Sequence, residues 1–206
     1  MLALALLLAA LGPASTAVKS SNEKVRTALT SYFKAAGPAR TKARSEARAA
    51  VAQLIDFEAL AKSTLGRHWD GLKPAERTRY AEALKGAMEA SYLARMQEGK
   101  ASGVDPAAVK NDVLGEEPQD GGRVLVKSKV TSGTDTAEVD YLMEKEPRGY
   151  RAVDVVTEGV SLAETYREQV GKLLQKKGID GVIAALDKKR KAFEAEPAAK
   201  AEPAAK

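Results

Sequence analysis

The chain has 206 residues, of which 44% are hydrophobic and 30% charged, with a formal net charge of +5. This supplies enough apolar material for one globular domain with a hydrophobic core. It contains no cysteine and one histidine, so disulfides are excluded and a transition-metal or histidine-based catalytic site has almost nothing to be built from. Aromatic residues make up only 5% and alanine is abundant, which favours a helix-rich α+β domain.

The first 17 residues are typical of a secretory signal peptide. An apolar block of about ten residues ends at Gly12-Pro13 and is followed by small residues up to Ala17. A membrane-spanning helix would need roughly 20 apolar residues. No Lys or Arg precedes the block, which departs from the usual pattern. We expect residues 1–17 to be removed and the protein to be exported without a lipid anchor, into the periplasm if the source has two membranes.

Residues 18–55 form a basic region with eight Lys or Arg and two Glu. Two amphipathic helices are predicted there, separated near Gly37. Arg40, Arg44 and Arg48 fall on one face of the second helix because they are four residues apart. Such a face is either a solvated surface or a surface that attracts anionic headgroups or an acidic partner. Nucleic acid is disfavoured, since exposed aromatic residues do not interleave with the charges.

Two more helices are predicted, a short one over residues 57–64 and a long one over residues 74–98. The inner stripe of the long helix mixes Met88 and Tyr92 with small side chains. This stripe is either ordinary core or one wall of an apolar cavity. Trp69, which follows the short helix, is a core anchor or the rim of such a cavity.

Alternating apolar and charged residues predict a sheet after the long helix. Four strands are expected, over residues 109–114, 123–131, 136–145 and 150–157. Short loops that contain glycine separate them, which makes them an antiparallel meander. In the second strand Val126 and Val130 alternate with Lys127 and Lys129, so one face is apolar and the other basic. The third strand alternates apolar with acidic residues, and the two sets of charges are predicted to pair across strands.

A final helix and a tail are predicted after the fourth strand. Ser161 and Glu164 have the spacing of a capping box and mark the start of an amphipathic helix. The last residues repeat the motif A-E-P-A-A-K, which predicts a disordered tail over residues 191–206. The expected organisation is therefore a signal peptide, a single domain over residues 18–190, and this tail.

The residue types argue against catalysis. Asp154 and Glu158 lie near a strand end and form a conceivable acid/base pair, but an inward polar anchor and a turn residue are simpler interpretations. Ser161 lacks the glycines of a nucleophile elbow, and a catalytic role for His68 is disfavoured because the chain offers no second histidine or cysteine. No phosphate loop, dinucleotide fingerprint or calcium loop occurs. We expect no enzymatic activity, no metal and no cofactor.

Several motifs carry a resemblance to a known family. They are D-V-V-T-E-G-V-S-L, Y-R-E-Q and K-K-G-I-D-G-V-I-A-A-L between Gly149 and Leu186 and, more loosely, D-F-E-A-L-A-K-S-T-L-G-R-H-W, K-P-A-E-R-T-R-Y-A-E-A-L and V-D-Y-L-M-E-K further upstream. Together these motifs resemble the MlaC-like, or toluene-tolerance auxiliary, family of periplasmic phospholipid-binding proteins of the Mla pathway. The resemblance extends back to about Ile55.

The resemblance implies a twisted antiparallel sheet of about four strands packed against several helices, with an apolar pocket for acyl chains and the headgroup left outside. The matching pocket walls are Val126, Val130, Val139, Tyr141 and Met143 from strands, and Leu65, Trp69, Leu84, Met88 and Tyr92 from helices. It also implies phospholipid as cargo and two partners, an inner-membrane ABC transporter complex and an outer-membrane lipoprotein complex. Such a carrier helps to maintain the lipid asymmetry of the outer membrane, and we expect it to be a monomer.

The alternative is an exported, non-enzymatic scaffold or binding domain. Its interior would be filled by its own side chains, and its basic N-terminal face would bind a protein or a membrane surface. Co-purifying lipid distinguishes the two hypotheses.

Overall fold

The computed structural model describes residues 11–101, 103, 105 and 107–195. Within these residues the helices are α1 Pro13–Lys34, α2 Gly37–Leu54, α3 Phe57–Leu65, α4 Pro74–Ala101 and α5 Leu162–Ala195. The strands are β1 Lys110–Pro118, β2 Val124–Ser132, β3 Asp135–Glu146, β4 Gly149–Thr157 and β5 Val160–Ser161. Of the predicted signal peptide and tail, residues 1–10 and 196–206 lie outside the described part of the chain. None of the described helices is long and apolar enough to cross a bilayer.

The predicted α+β class and the antiparallel meander are confirmed. The five strands pair in chain order, each antiparallel to the next, and the sheet is open. The sequence predicts four of these strands within a few residues of their ends. It misses β5 because this strand has only two residues, too few to show any alternation of apolar and polar side chains.

The chain divides into two compact units, each built from two separate segments. The sheet unit contains the described residues up to Asp56 together with Ala107–Leu162, and the helical unit contains Phe57–Pro106 together with the residues from Ala163 onward. Helix α1 begins at Pro13 and α5 continues to Ala195, so regular structure extends past both predicted limits of the domain, residues 18 and 190.

The core of the sheet unit lies between α1 and the face of the sheet that we call the inner face. This face carries Val126, Tyr141 and Met143, which are buried. They pack in one cluster with Ala14 and Val18 of α1 and with Leu54 and Ala152. The small side chains at the start of α1 allow the helix backbone to approach the strands closely.

The core of the helical unit depends on a reversal of direction within α5. At Gly178 the backbone has φ +64° and ψ −175°, a combination that only glycine adopts without strong strain. Lys189 Nζ lies 5.8 Å from the centre of the Tyr166 ring, whereas in one continuous helix their separation of 23 positions in the sequence would span about 35 Å. The two halves of α5 therefore form an antiparallel hairpin, the α5 hairpin.

Contacts along α4 hold the α5 hairpin and α3 in the helical unit. Arg79 of α4 forms an ion pair with Asp180 at 3.1 Å. Arg190 lies against Gly86, where a β-carbon would come within 2.6 Å of its side chain. On α3, Thr64 and Tyr80 of α4 share a hydrogen bond of 2.6 Å.

Arg151 on β4 fastens the end of α2 to the sheet. Its guanidinium donates to the carbonyl oxygens of Ala52 at 3.3 Å and Ile55 at 2.6 Å, where the helix C-terminus leaves carbonyls without partners in the helix. Arg151 also lies 3.8 Å from Asp56 and 3.6 Å from Glu146. The pKa of Glu146 is raised, first by its hydrogen bond with Asp56 and then by burial.

We expect Arg151→Ala to lower the free energy of unfolding by about 2 kcal/mol. The substitution removes two charge-assisted hydrogen bonds to half-buried backbone carbonyls, and such bonds contribute about 1.5–3 kcal/mol each when both partners are well ordered. Urea denaturation followed by circular dichroism measures the change. Arg148→Ala, in the exposed turn before β4, is the matched control and should change stability by less than about 0.5 kcal/mol.

Candidate functional site

The five strand residues predicted to line the pocket all lie on the inner face of the sheet. Val126, Tyr141 and Met143 are buried in the cluster with α1. Val139 is half-buried and packs against the edge of that cluster. Val130 is half-buried and lies further along β2.

Burial along the inner face changes from one end to the other. The strand ends near Val126 and Met143 are covered by α1 and by the end of α2. Towards the opposite end Val130 pairs with Ala137, and both are half-buried, as is Val139. The inner face therefore offers a fully packed apolar end and a partly covered apolar end.

Ser128, near the middle of the inner face, and Asp140, on the opposite face of the sheet, are both hydrogen-bonded within the sheet. Ser128 is buried and its hydroxyl donates to the carbonyl oxygen of Val139. Its backbone N–H donates to Asp140 Oδ1 at 3.1 Å, and Lys127 Nζ donates to Asp140 Oδ2 at 2.9 Å. The hydrogen bond and charge of Asp140 raise the pKa of Lys127. The predicted pairing of basic and acidic strands is thus confirmed at Lys127 and Asp140.

The five helix residues predicted to line the pocket all belong to the helical unit. Leu65, Trp69, Leu84 and Met88 are buried, whereas Tyr92 is 40% exposed. Arg77 lies over the Trp69 ring at 5.5 Å and donates to the Trp69 carbonyl oxygen at 3.2 Å. The strand and helix walls thus come from different units, and their joint role as one pocket stays a prediction.

Burial disfavours ionisation of three tyrosines, which are distributed over both units. Burial raises the pKa of Tyr80 to about 12, although its hydrogen bond with Thr64 acts in the opposite direction. Burial also raises the pKa of Tyr141 in the sheet unit and of Tyr166 in the helical unit. The common cause is desolvation, because a buried phenolate loses its hydration.

The pKa of Tyr80 predicts a loss of stability in alkali. Because the folded-state pKa is about 12 against the ordinary value of 10.0, the contribution of this group to stability is complete below pH 10 and is lost as the pH rises through 12. Between pH values below 10 and pH 12, we expect the ionisation of Tyr80 to lower the free energy of unfolding by about 2 kcal/mol. Denaturation at several pH values measures it, and Tyr80→Phe should show a correspondingly smaller fall.

The residues considered for catalysis hold the turn around β5 together. Asp154 accepts the Ser161 hydroxyl at 2.5 Å and the Val155 N–H at 2.8 Å. Glu158, at φ +50° in that turn, accepts the Glu138 N–H at 2.6 Å. His68 is exposed at the end of a short 3-10 turn. No group of three or more metal-ligating side chains occurs in the described part of the chain.

The basic residues of α2 lie beside its buried stripe. Arg40, Arg44 and Arg48 are half-buried, so the face is less solvated than a free basic surface. Arg40 stacks on the ring of Tyr32 at 4.7 Å and donates to its hydroxyl at 3.3 Å. At least Arg40 is therefore engaged within the sheet unit.

Sequence reasoning missed part of the sheet-unit core. Ala14 and Ser15 are fully buried but fall within the predicted signal peptide, so they were not expected to pack on the sheet. It also missed Arg151, whose role depends on the approach of α2 to β4. Of these residues, only Arg151 could have been noticed in the sequence, because it is an arginine on the half-buried strand β4.

Comparison with known proteins assigns the family. Residues 19–188 match the family model described as MlaC protein. The match covers most of the chain, and this chain belongs to the MlaC family. The resemblance stated from the sequence is thereby confirmed.

A solved structure shares the fold. It is the phospholipid-binding protein from Ralstonia solanacearum in complex with a phospholipid, determined at 1.53 Å resolution. The two chains superpose with a TM-score of 0.69 at 20% sequence identity, over 89% of this chain and 99% of that chain. At this identity the likeness establishes a common fold.

Proposed function

We propose that this chain is a periplasmic phospholipid carrier and not an enzyme. It would be exported through the signal peptide at residues 1–17 and would take phospholipid between an inner-membrane ABC transporter complex and an outer-membrane lipoprotein complex. In this way it would maintain the lipid asymmetry of the outer membrane. Membership of the MlaC family and the phospholipid bound to the Ralstonia solanacearum protein support this function.

The observation that carries the proposal is the partly covered end of the inner face. Val130, Ala137 and Val139 leave apolar surface that the helices of the sheet unit do not bury completely. The nearby Ser128 hydroxyl is engaged with Val139, whereas Asn111, which pairs with Val130, has a buried side-chain oxygen that forms no hydrogen bond with the described residues. Apolar, water-excluding surface with few polar groups is what acyl chains need.

Burial energy explains why such a carrier is required. Two acyl chains of sixteen carbons contain about 30 methylene equivalents, and each contributes about 0.8 kcal/mol when it leaves water. A protein that carries this lipid across an aqueous compartment must therefore shield the acyl chains from water, which is worth about 25 kcal/mol in total. Because a bilayer provides similar shelter, transfer in either direction is close to isoenergetic, and the partner complexes would decide its direction.

Native mass spectrometry with lipid extraction tests the function. The exported protein is purified without detergent, and one or two phospholipids should appear as a discrete added mass. A chain that carries no lipid and takes up none from phospholipid vesicles would overturn the proposal. If such a lipid-free chain loses a biological activity on charge reversal at Arg40, Arg44 and Arg48, the scaffold alternative is supported instead.

A further inference from the structure

The start of α1 is packed into the core of the sheet unit although it precedes the predicted cleavage site after Ala17. Ala14, Ser15 and Val18 are fully buried, and Ala14 and Val18 belong to the cluster that contains Val126 and Met143. Ala17 packs against the same cluster. We call residues 13–17 the N-terminal cover, because they lie over one end of the inner face.

Glu116 of β1 contacts the N-terminal cover. Glu116 Oε2 accepts the backbone N–H of Ser15 at 2.8 Å, where a carboxylate complements the positive end of the helix. Gly12 lies so close to this carboxylate that a β-carbon would come within 1.8 Å of it. The cover is therefore docked specifically on β1.

The cover also contains a group that fits poorly where it lies. The Ser15 hydroxyl is buried, and none of the described residues forms a hydrogen bond with it. A buried hydroxyl without a partner is unfavourable in apolar surroundings. An acyl chain has no such group and would fill the same space without this penalty.

We propose that the N-terminal cover occupies part of the acyl-chain site in the unprocessed protein and that cleavage after Ala17 opens it. The inference rests on the proposed function and adds to it a dependence of lipid loading on processing. Hydrolysis of the Ala17–Val18 bond by a signal peptidase consumes one water and leaves a carboxylate on Ala17 and an ammonium group on Val18.

The new terminus would itself help to open the site. The backbone of Val18 lies in the apolar cluster, where a charged ammonium group is strongly disfavoured unless it is paired. Cleavage also removes the Ser15 N–H from Glu116, which leaves that carboxylate available. The first turn of the shortened α1 would therefore move towards water or towards Glu116, away from Val126 and Met143.

Comparison of the unprocessed and processed chains tests the proposal. The full chain is made by cell-free synthesis without membranes and divided into two portions, one of which is treated with purified signal peptidase. Both are incubated with vesicles of phosphatidylglycerol and phosphatidylethanolamine, and bound lipid is counted by native mass spectrometry. We expect at least about tenfold more lipid per protein after cleavage, which corresponds to about 1.4 kcal/mol.

A pair of variants tests the role of Glu116 without cleavage. Glu116→Ala should loosen the cover and raise lipid loading of the unprocessed chain several-fold. Glu117→Ala, at the exposed neighbouring position, should leave it low. Equal loading of the unprocessed and processed wild-type chains would overturn the covering role alone, whereas no loading of either would overturn the carrier function as well. Exported protein that begins before Gly12 would also overturn the covering role.

Discussion

Val139→Trp is expected to abolish lipid retention while the protein still folds. Val139 is half-buried on the inner face, so an indole ring can be accommodated at the surface that we assign to acyl chains. Displacing even two methylene groups of a bound chain would cost about 1.6 kcal/mol, a more than tenfold loss of affinity. Native mass spectrometry of the detergent-free protein measures the remaining lipid, and circular dichroism confirms the fold.

Two further substitutions make the Val139 experiment specific. Leu125→Trp introduces the same ring on the opposite face of the sheet, at another half-buried position, and should retain lipid. Met143→Trp acts on a residue with no exposed surface, so overpacking should lower stability by about 1–3 kcal/mol. Retention of lipid by a well-folded Val139→Trp variant would remove the inner face from the binding site.

Gly178→Ala is expected to lower the free energy of unfolding by about 3 kcal/mol, because its φ and ψ lie in a region almost closed to other residues. Relief of this strain would require the α5 hairpin to open, which would separate Val182, Ile183 and Leu186 from the core of the helical unit. Thermal denaturation should show a large fall in Tm.

Gly171→Ala is the matched control within the same helix. Gly171 has no positive φ, and a β-carbon there would meet no atom within 4 Å apart from its chain neighbours and the backbone of its own helix. Alanine favours the helix by up to about 1 kcal/mol over glycine, so this variant should be slightly more stable than the wild type. If both variants behaved alike, the strained reversal at Gly178 would not determine the stability of the helical unit.

Much of the fold follows from local patterns in the sequence. Alternation of Val126 and Val130 with Lys127 and Lys129 identifies both the strand β2 and its inner face, since burial follows the period of two. The helix stripes are equally local, and Leu84 and Met88 are buried as a stripe on α4 requires. The sequence was therefore sufficient to predict which face of the sheet carries the five strand residues that we assign to the pocket.

Features that depend on distant contacts were not predictable in this way. The alternation along the third strand predicts that Asp140 is solvent-exposed, like the other acidic residues of that strand. Asp140 is instead 7% exposed, because it accepts hydrogen bonds from Lys127 and Ser128. The break at Gly178 was hidden in an apolar pattern that continues on both sides of it. A glycine inside such a pattern is compatible with an unbroken helix, whereas the backbone angles of Gly178 and the contact between Lys189 and Tyr166 reveal the reversal.

The two-segment construction of the sheet unit has a consequence for the order in which the protein folds. During synthesis or passage through a membrane, α1 and α2 emerge first and pack against each other, but Ala14, Val18 and Leu54 are covered by strands that begin only at Lys110. More than 50 residues, including all of α3 and α4, must appear before those partners exist. Because contacts between distant segments form more slowly than local ones, this end of the helix pair remains uncovered in the nascent chain until the sheet forms.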